Sequence, residues 1–455
     1  MMRAGMKKKI FWIIAAICVL GIALSVGFLA FDNTAGAVLR AIFLEDQSTA
    51  HAGLSEIELT QPTPQIIERG RYLARIGNCM PCHTAKGSDV YAGGREFKTA
   101  FGALYSPNIT SDVSTGLGAW SATDFWQAIH LGRSKNGHLL YPAFPYTNYT
   151  KITRRDADAL YLYFKRVPAV VRVNQHHDLQ FPYNQRFLLT IWRALYFRPG
   201  VFESQPQFDE QWNRGAYIVQ GLGHCSACHT ARNRLGATNE QSDLAGGLMP
   251  TLDWYAPSLT GSAYLGLGEW TSQDVFDLLK TGVSKRGSVF GPMSEVVSES
   301  LQHMSDQDVR AMVTYLKALP GTPEHLQRAA QEWRFPTVPA YDKARLLALG
   351  AQVYQKYCIE CHQAGGKGIP PYYPPLVANR SITMYSAVNA IRMVLNGGYP
   401  PSTQGNPRPY GMPPFRQQLS DDEVAAVVSY LLSAWGNSAE PVSAEEVGRY
   451  RSIPE

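Results

Sequence analysis

Cysteine is scarce in this 455-residue sequence: there are seven, and six fall in three tight pairs. Cys79 and Cys82, Cys225 and Cys228, and Cys358 and Cys361 are each separated by two residues, while Cys18 lies in an apolar run near the N-terminus. None is left over for a structural disulfide. An excess of one charge is missing too. Forty-two Lys and Arg against 37 Asp and Glu leave +5, too little at this length to imply a nucleic-acid partner. There is no nucleotide-binding glycine loop and no second cofactor motif, and His, Asp and Glu are scattered without a catalytic arrangement. Nor is there an alternating strand pattern of any length, which points to a mostly α fold.

Arg3, Lys7, Lys8 and Lys9 precede an uncharged run over residues 10–31. A helix rising 1.5 Å per residue over that run crosses a hydrocarbon core of about 30 Å. Basic residues before it and Asp32 after it predict a cytoplasmic N-terminus with everything else outside. The rival reading is a cleaved signal peptide, with Ala35-Gly36-Ala37 as the processing site, but the run exceeds the length of a signal core. Both readings export the bulk of the chain, and the anchor places it on the periplasmic face of a bacterial inner membrane.

The rest repeats three times. The units open with Arg69-Gly-Arg-Tyr-Leu, Arg214-Gly-Ala-Tyr-Ile and Leu349-Gly-Ala-Gln-Val-Tyr, each a helix running into Cys-X-X-Cys-His. A Gly- and Pro-rich loop follows, with Ser106-Pro-Asn-Ile-Thr, Ala256-Pro-Ser-Leu-Thr and Pro374-Pro-Leu-Val-Ala. A short amphipathic helix then begins at Ser121, Thr271 or Ser386, and a capped closing helix at Thr153, Ser305 or Ser420. The closing helices place Tyr161, Tyr315 and Tyr430 on their buried faces. The expected architecture is mostly α, with three tandem cytochrome c-like helical domains after a transmembrane helix. Residues 1–65 supply the cytoplasmic start, anchor and linker, 66–180 the first domain, 181–212 an aromatic-rich linker helix, 213–335 the second domain, and 336–455 the third with a C-terminal tail. The linker helix carries Phe187, Leu188, Ile191, Trp192 and Leu195, read as packing between domains one and two, or alternatively as a docking surface for a partner or the membrane.

Two cysteines three apart on one helical turn each reach a porphyrin vinyl group, and the next histidine lies beneath the macrocycle as the iron's proximal ligand. The pentapeptide is the attachment signature of c-type haem. It predicts three haem c groups: Cys79, Cys82 and His83; Cys225, Cys228 and His229; Cys358, Cys361 and His362. A tetrahedral zinc site needs further ligands near each pair, and no unit has a second cysteine pair. The sixth ligand is expected from the loop before each closing helix. Met412 in Gly411-Met-Pro-Pro and Met293 in Gly291-Pro-Met occupy it, leaving Met304 and Met312 as core filling. The first unit has no methionine between His83 and His229, and Phe144 sits at the aligned position. His138, in the same loop, is the candidate there. The alternative is an iron with no protein ligand behind Phe144. His130, His224 and the His176-His177 pair read as exposed side chains.

With Tyr141-Pro-Ala-Phe-Pro-Tyr-Thr, Met293-Ser-Glu-Val-Val, Pro374-Pro-Leu-Val-Ala-Asn and Ser433-Ala-Trp-Gly-Asn added to the opening motifs, residues 66–436 resemble the triheme cytochrome c subunit of membrane-bound, quinone-linked dehydrogenases. Phe144 departs from that family's Tyr-Pro-Ala-Met-Pro-Tyr. The resemblance implies a relay beside a catalytic subunit (a quinoprotein, flavoprotein or molybdenum enzyme acting on an alcohol, aldehyde or sugar acid), with a small subunit as a further partner and ubiquinone in the membrane as acceptor. The other function class is a self-contained haem enzyme, such as a peroxidase, using an open first haem.

If residues 10–31 are retained as an anchor, N-terminal sequencing of membrane-extracted protein begins upstream of residue 10. A start near Ala37 or Val38 would show cleavage instead.

Overall fold

A computed structural model describes residues 52–249, 252–263, 265–323, 340–384, 386–437 and 439–453. The expected anchor at 10–31 lies outside them, and among the described residues no helix is long and apolar enough to cross a membrane.

Each repeat folds around one helix pair. The opening helices are Pro64–Ile76, Glu210–Tyr217 and Ala340–Tyr357, and they pack on the closing helices Arg154–Phe164, Asp306–Ala318 and Asp421–Ser433 respectively. The starts are fixed by side chains that accept otherwise orphaned backbone N–H groups. Thr63 caps the first opening helix with Pro64 behind it, Asp209 caps the second, and Thr153, Ser305 and Ser420 cap the closing helices. The middle helices Ala122–Leu131 and Ser272–Thr281 start with full capping boxes, Ser121 with Asp124 and Thr271 with Asp274. The third, Val388–Asn396, has no side-chain cap.

The pairs cross at a glycine. A Cβ on Gly70 would meet the Ala159 carbonyl oxygen at 2.0 Å, one on Gly215 the Ala311 oxygen at 1.9 Å, and one on Gly350 the Ala426 oxygen at 2.1 Å. The backbones therefore touch, and no other residue type fits. The same added Cβ atoms would lie 2.8, 2.9 and 2.8 Å from the Cβ atoms of Tyr163, Tyr315 and Tyr430, the next aromatics on the closing helices. In the first domain Tyr163 sits at this crossing, while Tyr161 packs against the core as expected, its ring centre 6.0 Å from that of Phe125. Counted from the caps, Tyr163 holds the register of Tyr315 and Tyr430.

Short antiparallel strands occur where none was expected. Glu96–Thr99 pairs with Gly102–Tyr105, to which Asp178–Leu179 adds, Gly247–Met249 pairs with Trp254–Ala256, and Val283–Ser284 with Gly287–Ser288. At two to four residues they are too short for a period of two to show in the sequence.

One hydrophobic core runs through the first two domains, from Leu73 to Leu316, and a second belongs to the third domain, joined there by Tyr255 of the second. Between the first two domains the linker helix is Leu188–Tyr196. Its buried side chains are Leu189 and Arg193, the guanidinium lying 5.2 Å from the Tyr146 ring centre and 4.7 Å from that of Phe197. Trp192 reaches the second domain by donating to the Leu235 carbonyl at 2.9 Å. Phe187, Ile191 and Leu195 face solvent, so the interdomain packing expected of them is not made.

A Gly350→Ala substitution is expected to cost about 3 kcal/mol, the upper end for overpacking, since no rotamer change relieves a Cβ against backbone. Denaturant unfolding measures it, with Gly200→Ala as the near-neutral control, because nothing lies nearer than 4.0 Å to a Cβ there.

Candidate functional site

The opening helix of each domain delivers its chain into a single tight turn that carries the cysteine pair. In every copy the histidine N–H closes the turn on the carbonyl of the first cysteine: His83 on Cys79 at 3.0 Å, His229 on Cys225 at 2.9 Å, His362 on Cys358 at 3.0 Å. Both thiols and the imidazole thereby project from one turn. Each histidine carbonyl is held in return by a glycine N–H, from Gly93, Gly246 and Gly368 at 2.7, 2.8 and 3.0 Å. The six cysteines are all free of disulfides.

The imidazoles share one further bond. Nδ1 of His83 lies 2.8 Å from the Pro107 carbonyl, that of His229 2.7 Å from Pro257, and that of His362 3.1 Å from Pro374. A carbonyl only accepts, so Nδ1 carries the proton and Nε2 keeps its lone pair for a metal. Such an outer partner fixes the tautomer, ring direction and basicity of a ligating histidine. Burial pulls all three imidazoles below the ordinary histidine pKa, opposed by these carbonyls, which keeps them neutral. The proline loops were visible in the sequence but their role was not. The available signal was a proline recurring at a similar place in three otherwise different loops.

Burial also pushes the thiols up, Cys79 and Cys225 to about 12, Cys82 and Cys358 to about 11. Among the described residues no group of three or more His, Cys, Asp or Glu side chains converges as a metal cage would. Each of two arginines braces an attachment turn: Arg95 donates to the Pro81 carbonyl and Arg232 to that of Ala227, both at 2.8 Å.

In the third domain these parts line an open, largely apolar cavity. Cys358, Cys361 and His362 line it together with Met412, and Leu376, Val394, Phe415 and Leu431 contribute apolar wall. A flat, apolar macrocycle bound through two sulfurs and one ring nitrogen fits that lining. Met412 is pinned by a reciprocal backbone pair with Gly398, at 2.8 and 3.0 Å. Phe290 of the second domain also reaches this wall, from the loop just before Met293. Met293 itself opens the helix Pro292–Glu299 and is partly buried against the core, while Met304 and Met312 are 2% exposed within it.

The first domain differs. His138 stands exposed on a hairpin closed by the Arg133–Leu139 bridge, its N–H donating to Asn136 Oδ1. Phe144 is half-buried, edge-on to Tyr149 at 5.4 Å. His130 is not an exposed side chain, as the sequence suggested: it is 3% exposed, its Nδ1 is 2.9 Å from the Thr150 carbonyl, and its ring stacks on Trp126 at 4.2 Å. The middle helix buries that face because the chain returns over it at Thr150. His224 is likewise half-buried, edge-on to Tyr149 at 5.6 Å, since its left-handed backbone turns the ring inward. His177 is exposed yet held, its Nδ1 accepting from the Tyr105 N–H.

A family model described as cytochrome c matches residues 213–320 and 347–435. The chain is 37% identical over 398 residues to the alcohol dehydrogenase (quinone) cytochrome c subunit of Gluconobacter oxydans, covering 85% of this chain and 82% of that one. It is also 37% identical to the gluconate 2-dehydrogenase cytochrome c subunit of Pantoea cypripedii, over 86% of this chain and 90% of that one. To the fructose dehydrogenase cytochrome subunit of Gluconobacter japonicus it is 34% identical, over 86% and 85%. The paired thiols, the neutral imidazole aimed by a proline carbonyl and these likenesses agree on covalent haem c and an electron-transfer role, and the chain belongs to the family of cytochrome c subunits of quinone-linked dehydrogenases.

Proposed function

We propose that this chain carries three haem c groups and is the electron-transfer subunit of a membrane-bound dehydrogenase complex. It receives electrons from a periplasmic catalytic subunit that oxidises an alcohol, aldehyde or sugar acid, and delivers them to ubiquinone. The observation that carries this reading is the threefold recurrence of one attachment turn, each with its histidine Nδ1 on a proline carbonyl. The relatives' names support the dehydrogenase partner, and the uncharged run at 10–31 supports attachment to the inner membrane.

Haem bound at such a site supplies a reversible one-electron iron couple. The chain's own residues do the rest. His83, His229 and His362 would hold the iron through Nε2, and the thioether of Met412 in the third site and of Met293 in the second would add a ligand that favours the ferrous state. Apolar walls such as those of Leu376, Val394 and Phe415 exclude water and raise the potential further. At the first site, the exposure of His138 and the packing of Phe144 favour an iron without a sixth protein ligand over ligation by His138.

Several measurements test this reading. Alkaline pyridine spectra of the purified chain give three haems per polypeptide, and a count of two or fewer refutes it. Met412→Ala and Met293→Ala each lower one midpoint potential and remove part of the sulfur-to-iron charge-transfer absorption. Two unchanged titrations would dismiss both assignments. Low-temperature electron paramagnetic resonance of the oxidised protein shows one high-spin ferric haem, unchanged in His138→Ala. A low-spin first haem that His138→Ala converts to high spin would instead make His138 its ligand. Isolation of the membrane complex brings down a larger dehydrogenase subunit, and its identification fixes the substrate class.

A further inference from the structure

The first two domains are bound to each other by a contact made twice with the roles exchanged. Asp156, at the start of the first closing helix, accepts a fork of bonds from Arg69 of its own domain, at 3.0 and 2.9 Å, and a third bond from the Tyr217 hydroxyl of the second domain at 2.7 Å. Asp308, at the start of the second closing helix, accepts the same fork from Arg214, at 2.7 and 2.8 Å, and a third bond from the Tyr72 hydroxyl of the first domain at 2.7 Å. Each tyrosine oxygen in turn accepts the N–H of the facing helix cap, Thr153 at 3.2 Å and Ser305 at 3.0 Å. This is an isologous interface inside one chain, with a pseudo-twofold axis between the tyrosines.

The reciprocity extends to the metal sites. Asn148, in the short helix after Phe144, donates to Ser226 between Cys225 and Cys228, at 2.8 Å. Glu295, two residues after Met293, accepts from Arg95 at 2.8 and 3.0 Å, and Arg95 holds the Pro81 carbonyl between Cys79 and Cys82. The distal loop of each domain therefore braces the attachment turn of the other. The third domain has no part in this. Leu349, Gln352 and Glu423 stand where the first two domains carry Arg, Tyr and Asp. It is fastened to the second domain elsewhere, through Asn389 bonded both ways to the Tyr255 backbone at 2.9 and 2.8 Å.

We propose that the first two haem sites form one redox unit whose geometry is set by Tyr72 and Tyr217 as positioning residues, with the third site outside it. The inference rests on the reading that all three turns hold haem. An opening helix ends in its own attachment turn, and a closing helix begins just after the distal loop. A tyrosine on one opening helix tied to the other domain's closing helix thus fixes one site's attachment turn relative to the other site's distal loop, and the second tyrosine does the converse. A change at either hydroxyl reaches both sites.

The test uses the full haem-loaded chain. Spectroelectrochemical titration is run on the wild type, Tyr72→Phe, Tyr217→Phe and, as control, Gln352→Ala. Asp308→Asn and Asp156→Asn repeat the test should a Phe variant lose haem. Either Tyr→Phe change is expected to shift the same two of three midpoint potentials and leave the third in place, with secondary structure and haem count intact. The control is expected to shift none. A variant that moves only one wave, none, or all three overturns the proposal, since a merely local or global structural role would do that. A wild-type haem count other than three is a separate result, which overturns the haem reading itself before any variant is titrated.

Discussion

Everything in each domain follows from the contact of two helix backbones at one glycine. At Gly70, Gly215 and Gly350 the opening helix lies directly on a carbonyl of the closing helix. That crossing places the C-terminal end of the opening helix, where the attachment turn begins, at a fixed height against the segment that leads into the closing helix. The proline loop lies between them, and its carbonyl meets the histidine at 2.7 to 3.1 Å in all three domains. A wider crossing would carry the turn away from that carbonyl and release the imidazole to rotate or change tautomer. Each imidazole is thus aimed by helix packing through one intervening hydrogen bond.

Much of this was legible in the sequence because the signals are local. The capping residues Ser121, Thr153, Ser305 and Ser420 bond to N–H groups three residues away, and the haem signature is five residues long. What escaped depends on where distant segments meet. His130 looked solvent-facing on its own helix and is covered by the returning chain at Thr150. The linker helix was expected to bury Phe187, Ile191 and Leu195, yet it buries Leu189 and Arg193. A guanidinium stacked on Tyr146 and Phe197 satisfies the packing that apolar periodicity assigned to the other face. Tyr161 does pack on the core, but the tyrosine that meets Gly70 is Tyr163, and only counting from the cap separates the two registers.

Repetition supplied information that one copy would not have held. Proline 107 alone is an unremarkable loop residue, and Gly70 alone an unfavourable helix residue at a cost of about 1 kcal/mol relative to alanine. Their recurrence at matching places is what ties them to the site. Divergence among the copies is equally informative. Phe144 stands where the second and third units carry Met293 and Met412, and Gln352 in place of tyrosine sets the third domain apart from the first pair.

These two departures fall on different domains, and the arrangement explains why that is tolerated. The first domain cannot lose its interface without exposing the shared core that runs from Leu73 to Leu316, so its opening helix keeps Arg69 and Tyr72. Its distal loop is under a weaker constraint, since Asn148 still braces the second domain's turn whether or not residue 144 reaches an iron. The third domain has a core of its own and meets the second through Asn389 and through the wall that Phe290 contributes to its cavity. Its opening helix is therefore free of the pairing residues, whereas the loop before its closing helix is pinned by the backbone pair between Met412 and Gly398. Each domain has kept the residues that its own contacts demand and varied where they do not.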